Sequence, residues 1–274
     1  MDLKGRVAWV TGGISGIGAA TSKALYEAGC KLILTDINDE LGHEFVKQFG
    51  DDAVYIHADQ KFPEELEAAA AQGVEKFGRL DILFNSAGKS QYVGALLSDD
   101  PEIIQLSNSL WEEGIKEILG GSYHAARVAV SHIKKNEPDE NGERGCIIFV
   151  ASMSADKVFI YYDQEMIETF MMNYYPFAYG AAKTGILGLN RDMAIALAPH
   201  GIRVNTIKPG YILTPMTGVK PDKKHGDMDH YYLPQQLFPK IGGQPENIAS
   251  VALEICRNPF INRAEIEVDA GIVG

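Results

Sequence analysis

Three side chains, Ser152, Tyr179 and Lys183, carry the strongest chemical signal in this sequence. Tyr179-Gly180-Ala181-Ala182-Lys183 puts a phenol and an ammonium at i and i+4, on one face of a helix. A cation beside a phenol favours the phenolate, and moving a tyrosine pKa from ~10 to ~7 takes about 4 kcal/mol. Such a tyrosine works as an acid or a base near neutral pH. Ser152 follows the apolar run Cys146 to Val150, at the carboxyl edge of a buried strand, where open α/β sheets bind ligands. Taken singly, each feature also has an ordinary reading: a surface Tyr–Lys pair, and a turn or cap serine.

A second group is suited to a nucleotide. Thr11 to Gly18 (TGGISGIG) joins a strand-like run to a helix-like one. Glycines here let the chain turn tightly and let a pyrophosphate reach the amides at the helix N-terminus. Asp36 ends the next strand, 18 residues past Gly18. A carboxylate there accepts hydrogen bonds from both ribose hydroxyls of an adenosine and repels a 2′-phosphate. Neither the glycine loop nor position 37 has an Arg or Lys to hold such a phosphate, so the expected cofactor is NAD rather than NADP.

The elements that must position these groups alternate along the chain. Strand-like runs occur at Val7–Thr11, Lys31–Thr35, Ala53–His57, Leu80–Asn85, Cys146–Val150, Arg203–Ile207 and about Glu265–Val268. Helical spacing occurs from Ile17 to Ala28, Glu64 to Phe77, Trp111 to Ile133, Tyr179 to Leu197 and near Asn247 to Arg257. Near-continuous apolar strands between helices imply α/β architecture: one doubly wound Rossmann-type domain, a parallel sheet with helices on both faces. No repeat or low-complexity linker divides the chain, and two long segments, Ser154–Ala178 and Met216–Gly243, stand outside the alternation.

Composition sets the outer limits. The chain has 274 residues, 46% hydrophobic and 23% charged, which excludes disordered, collagen-like and coiled-coil classes. The net charge of −12 opposes any general affinity for DNA or anionic membrane, so a phosphate-bearing ligand needs local donors. Cys30, Cys146 and Cys256 are widely spaced and odd in number, which fits buried thiols in a reducing compartment. With no signal-like start and no long apolar run, the expected location is cytoplasmic. The seven histidines show no metal spacing, and no metal is expected.

Taken together, TGGISGIG at 11–18, Asp36, Asp59, NSAG at 85–88, Ser152, YGAAK at 179–183, IRVNTIKPGYILT at 202–214 and VDAG at 268–271 resemble the short-chain dehydrogenase/reductase family over nearly the whole chain. The resemblance implies that Tyr179 protonates or deprotonates the substrate oxygen and that Ser152 hydrogen-bonds it. Lys183 would lower the Tyr179 pKa and bind the nicotinamide ribose. It also implies a cofactor crevice bordered by Gly12, Ser15, Gly16, Ile17, Gly18, Asp36, Ile37, Asp59 (toward the adenine), Gln60, Asn85, Ala87 and Gly88. Pro209, Gly210, Ile212 and Thr214 would lie on its nicotinamide side. A homodimer or homotetramer is expected on the same ground.

Three departures from the family pattern stand out. Where the family has an Asn seven residues after a Trp, holding a water that links the Lys to solvent, this chain has Ile118 after Trp111. Tyr179 comes 27 residues after Ser152, about twice the family's usual interval. The stretch Lys89 to Leu110 is longer than the usual loop before the central helix. The aromatic and Met-rich residues of the 154–178 insertion either line a substrate pocket beside Tyr179 or pack a satellite core or subunit contact. The segment near 216–240 is expected to act as a lid. Its Lys220, Lys223, Lys224 and His225 are either a solvated cluster or a contact for an anionic substrate.

The expected activity is interconversion of a secondary alcohol and a ketone with NAD(H), on a largely apolar or cyclic small molecule. The alternative is a nucleotide-binding sensor or a non-redox enzyme on the same fold.

Overall fold

A computed structural model describes residues 1–89, 99–157, 177–217 and 229–273. Its seven strands are β1 (Val7–Thr11), β2 (Lys31–Asp36), β3 (Ala53–His57), β4 (Ile82–Asn85), β5 (Gly145–Val150), β6 (Ile202–Pro209) and β7 (Glu265–Val268). They form one sheet in the order β3-β2-β1-β4-β5-β6-β7, with every pairing parallel. The longer helices are α1 (Gly16–Glu27), α2 (Asp39–Val46), α3 (Pro63–Phe77), α4 (Pro101–Gly114), α5 (Gly121–Ile133), α6 (Phe177–Leu197) and α7 (Pro245–Arg257). The doubly wound architecture expected from the alternation is the one observed.

Alternation of side chains along each strand divides the core into two layers. Val7, Trp9, Ile33, Leu83, Ile147, Phe149 and Val204 pack against α3, α5 and α6. Their neighbours Ala8, Val10, Leu32, Leu34, Ile82, Phe84, Cys146 and Ile148 pack against Leu25 of α1 and Ile248, Ala252 and Ile255 of α7. With both faces covered, apolar residues run consecutively, four in β1 (Val7–Val10) and five in β5 (Cys146–Val150). All three cysteines are buried free thiols.

The strand order reverses at β1, whose neighbours are β2 and β4. A crevice opens at the carboxyl ends on either side of such a switch point. The glycine-rich loop follows β1, Asp36 ends β2, Asn85 ends β4 and Ser152 follows β5, so the topology gathers them along one edge.

Several sequence expectations are corrected. The long helix placed at Trp111–Ile133 begins at Pro101, and a π-helical turn, Ile115–Gly120, divides it into α4 and α5. Residues 101–110, expected to be loop, are therefore helical. Asp100 caps them through a side-chain bond from the Glu102 amide at 2.9 Å, and Pro101 occupies the first turn. Helix α2, not expected, has Asn38 as its cap, accepting from the Leu41 amide at 3.0 Å. Strand β6 runs Ile202–Pro209, longer at both ends than the expected Arg203–Ile207. Residues 90–98, most of the 154–178 insertion (158–176) and the cationic part of the expected lid (218–228) lie outside the described residues.

Candidate active site

Ser152 is 8% exposed, directly beyond β5. Its Oγ accepts a 3.1 Å hydrogen bond from the Ser154 amide and caps the short turn Met153–Ala155. The cap reading is the one observed, and it leaves room for the catalytic one: the oxygen is fixed by an N–H donor, while the hydroxyl proton is still available to donate.

Tyr179 and Lys183 occupy successive turns of α6, and Lys183 Nζ lies 5.5 Å from the Tyr179 ring centroid. Lys183 is 4% exposed and donates to the Val150 carbonyl at 2.7 Å. One residue on, Thr184 Oγ1 donates to the Ala155 carbonyl at 2.6 Å. Those two bonds pin α6 to the end of β5 on both sides of Ser152, which fixes the relation of all three candidate catalytic residues. Burial lowers the Lys183 pKa to about 8, against the opposing pull of the Glu117 carboxylate.

The glycine-rich loop lies at the same carboxyl edge of the sheet, two strands over from β5. Gly12 has φ +62°, and a Cβ there would stand 2.9 Å from Ala87 Cα. A Cβ on Gly18 would stand 2.0 Å from the Gly12 carbonyl oxygen, so only glycine lets α1 close onto the loop. The Ser15 side chain makes no capping bond, and the first turn of α1 has no acidic residue. A helix end left open in this way suits a pyrophosphate. Thr214 closes the crevice from the opposite side: a Cβ on Gly16 would meet its Cγ2 at 3.3 Å. Thr214 itself is held by Thr217, whose Oγ1 accepts from the Thr214 amide at 3.0 Å and donates to the Ile212 carbonyl at 3.0 Å. Gly210 turns the chain off β6 so closely against Asp269 that a Cβ would lie 2.5 Å from its Cα.

Asp36 accepts from the amides of Ile37 (2.8 Å) and Asn38 (3.1 Å), both on Oδ1, and neither bond uses Oδ2. Burial raises its carboxyl pKa, opposed by those two amides and by His57. These features fit a dinucleotide laid across the carboxyl edge, its pyrophosphate at the α1 N-terminus and its adenosine toward Asp36.

Other expected residues play supporting parts. Asn85 Nδ2 donates to Thr11 Oγ1 (2.8 Å) and Gln60 Oε1 (3.3 Å), and the Ala87 amide donates to the same Thr11 oxygen (3.2 Å). Gln60 Nε2 donates to the carbonyls of Ala87 (3.0 Å) and Glu117 (2.9 Å). Its side chain thus joins the loops after β3 and β4 to the π-helical turn, and Gly121 makes room for it. Asp59 accepts from the Lys61 amide at 2.9 Å and faces the Lys61 ammonium at 3.4 Å. Gly88 has φ +138°, and a Cβ there would lie 3.4 Å from Ile118 Cγ1. Ile118 is 1% exposed and belongs to the apolar core, and its carbonyl accepts from Ser122 Oγ at 2.7 Å.

One residue of this site was not anticipated from the sequence. Glu117 is buried at 9% exposure, with Oε1 accepting from the Lys89 amide at 3.2 Å. Its only trace in the sequence is a carboxylate between the apolar residues Ile115, Ile118 and Leu119 of a helix.

Among the described residues, no group of three or more His, Cys, Asp and Glu side chains is placed to hold a metal ion. No described helix is long and apolar enough to cross a membrane.

Comparison with known proteins agrees with this geometry. Residues 12–273 match a family model described as enoyl-(acyl carrier protein) reductase. The 3-hydroxyacyl-CoA dehydrogenase type-2 of Rattus norvegicus is 32% identical over 271 residues, covering 99% of this chain and 96% of that protein. Tropinone reductase-like 2 of Erythroxylum coca is 30% identical over 280 residues, covering 98% and 90%. The crystal structure of a 3-hydroxyacyl-CoA dehydrogenase type-2 from Mycobacterium avium superposes with a TM-score of 0.84 at 26% identity, covering 99% of this chain and 98% of that one. The chain belongs to the short-chain dehydrogenase/reductase family, oxidoreductases that use nicotinamide cofactors.

Proposed function

We propose that this protein interconverts a secondary alcohol and a ketone with NAD(H), acting on a largely apolar substrate. The observation that carries the reading is the cluster of Ser152, Tyr179 and Lys183, pinned together through the Val150 and Ala155 carbonyls at the sheet edge that also carries the glycine-rich loop. When bound, the nicotinamide supplies the hydride acceptor or donor. Everything else falls to the chain. Ser152 donates to the substrate oxygen and orients it. Tyr179 takes the hydroxyl proton in oxidation and returns it in reduction. Lys183 holds positive charge behind the phenol and favours the phenolate. Asp36 supports NAD over NADP, because a 2′-phosphate would meet its charge.

Two relatives suggest where to start on substrates. One is named for 3-hydroxyacyl-CoA and the other for tropinone, so a β-hydroxyacyl thioester and a cyclic ketone represent the two classes to try. We also propose that the enzyme works as a homodimer or homotetramer in the cytoplasm.

The test is to mix the protein with NAD and a panel of 3-hydroxyacyl thioesters and cyclic and aliphatic secondary alcohols, and follow NADH absorbance. Turnover on at least one member, abolished by Tyr179→Phe, is the expected result. Tight NAD binding with no turnover on any member, and none in reverse with the ketones, would favour a sensor instead.

A further inference from the structure

An ammonium as enclosed as that of Lys183 exchanges protons with solvent only through a neighbour. Ile118 offers no side-chain acceptor. Glu117, one residue earlier, does. Packing on both sides shows where its π-helical turn faces α6. A Cβ on Gly114 would stand 2.9 Å from the Ala178 Cβ, and one on Gly185 would stand 2.8 Å from Leu119 Cδ2. Residues 115–118 therefore lie opposite 179–184. The Glu117 carboxylate acts electrostatically on Lys183 across that contact. In turn, the charges of Lys89, Lys61 and Asp59, on the loops after β4 and β3, act on Glu117. Lys61 Nζ lies 3.2 Å from Glu113 Oε1 and 3.4 Å from Asp59 Oδ2, and Glu113 is one turn before Glu117. Exposure rises from 4% at Lys183 and 9% at Glu117 to 43% at the Glu113 side chain, so the Lys61–Asp59–Glu113 group is the solvent-facing end of these ionisable side chains.

We propose that Glu117 is the relay residue through which Lys183 exchanges its proton with solvent. In oxidation, the Lys183 ammonium passes a proton through an intervening water to the Glu117 carboxylate, leaving an amine and a carboxylic acid, and the amine takes up the proton that Tyr179 received from the substrate, restoring ammonium and phenolate. The acid then releases that proton to water at the Lys61–Asp59–Glu113 end, and reduction runs the same steps backwards. Burial brings the two groups closer in acidity, raising the Glu117 carboxyl pKa and lowering that of Lys183, so the transfer is less uphill than between the same groups in water. Glu117 acts through Lys183 and touches no reacting atom.

The inference rests on the dehydrogenase reading, but one arm of its test does not need turnover. In the cofactor-free full chain, Lys183 is titrated by NMR of carbon-labelled lysine and assigned with Lys183→Met. Glu117→Gln should make Lys183 titrate about half a pH unit lower or more, and Glu117→Asp should restore part of that shift. In the turnover arm, Glu117→Gln should lower kcat about tenfold and raise its solvent isotope effect, with the KM for NAD within about twofold. Added acetate should recover part of the rate. An unchanged Lys183 titration, or an unchanged kcat and isotope effect, overturns the proposal. If the unmutated protein turns over no member of the panel, the dehydrogenase reading fails, while the titration still shows whether Glu117 and Lys183 are coupled. Should Glu117→Gln fail to fold, Glu117→Asp is read in both arms: a Lys183 titration and solvent isotope effect identical to the unmutated protein's overturn the proposal.

Discussion

Lys183 donates a 2.7 Å hydrogen bond to the carbonyl of Val150, the last residue of β5 and the second before Ser152. The bond holds a buried cation against the strand that delivers the candidate catalytic residue Ser152. It also makes the pH behaviour of the site predictable in sign.

Burial places the Lys183 pKa at about 8, below its ordinary value, so Lys183 is charged below that pH and neutral above it. In the proposed mechanism, oxidation expels a proton along this lysine, whereas reduction finds one there. With saturating substrates, oxidation should therefore speed up as pH climbs toward about 8 and stop gaining above it, where Lys183 no longer carries the charge that favours the Tyr179 phenolate, and reduction should slow over the same approach to 8. Initial rates in both directions between pH 6 and pH 10, roughly two units either side of that midpoint, would check this. Limbs that move in the same direction would show that a different group controls turnover.

Tyr179→Phe removes the hydroxyl proposed as acid and base and keeps the ring that packs against the core. Turnover should fall by ~10²-fold or more, with NAD affinity nearly unchanged. Ser152→Ala should cost less, since it removes one orienting bond and a cap on a three-residue turn. Steady-state kinetics of the two variants, with NAD binding measured separately, rank them. The reverse ranking would exchange their roles.

The difference between these residues and Glu117 explains what could be read from the sequence alone. Tyr179 and Lys183 share a helix, so their spacing already places them together, and Ser152 follows a run whose apolar character marks it as a buried strand. β1 and β7 likewise begin and end where their residues predict, because each is bounded by turn-forming residues. Helix α4 also carries a start signal, the cap Asp100 followed by Pro101, ahead of the start expected at Trp111. Glu117 was not legible. Its burial depends on the π-helical turn, on Gly114 and Gly185 admitting α6, and on Gln60 crossing from another loop, and none of these contacts is local in sequence.

Asp36 should govern cofactor choice, with a pH dependence of its own. Asp36→Ala removes ribose acceptors and a repelling charge together, so NAD binding should weaken and the preference over NADP should narrow. Because burial raises the Asp36 carboxyl pKa, the unmutated protein should lose part of that discrimination at mildly acidic pH, where the carboxyl begins to protonate. Dissociation constants for NADH and NADPH, measured by fluorescence at neutral and acidic pH, test both statements. Equal affinity for the two cofactors in the unmutated protein at neutral pH would reject the assignment.

Arg203 lies far from this chemistry, at the amino end of β6, yet it should matter more for stability than any residue of the site. Its guanidinium is almost wholly buried, and both Nε (3.0 Å) and Nη2 (2.8 Å) donate to Glu143 Oε1. The remaining donors reach the carbonyls of Ile255, Cys256 and Ile261, which ties the end of α7 and the approach to β7 to the sheet. Replacing Arg203 with Leu leaves the buried Glu143 carboxylate without its guanidinium partner and strips three carbonyls of a donor. Breaking a buried pair on one side typically costs ~3–5 kcal/mol. Arg203→Leu should therefore lower the unfolding free energy by about that much in urea titrations, while Arg203→Leu combined with Glu143→Leu should recover part of the loss, because the carboxylate left without its guanidinium is gone and the Met1 ammonium, 3.6 Å from Glu143 Oε2, still donates to the Cys256 and Arg257 carbonyls. A double variant no more stable than the single one would mean that the carbonyl contacts, rather than the ion pair, hold this corner of the fold.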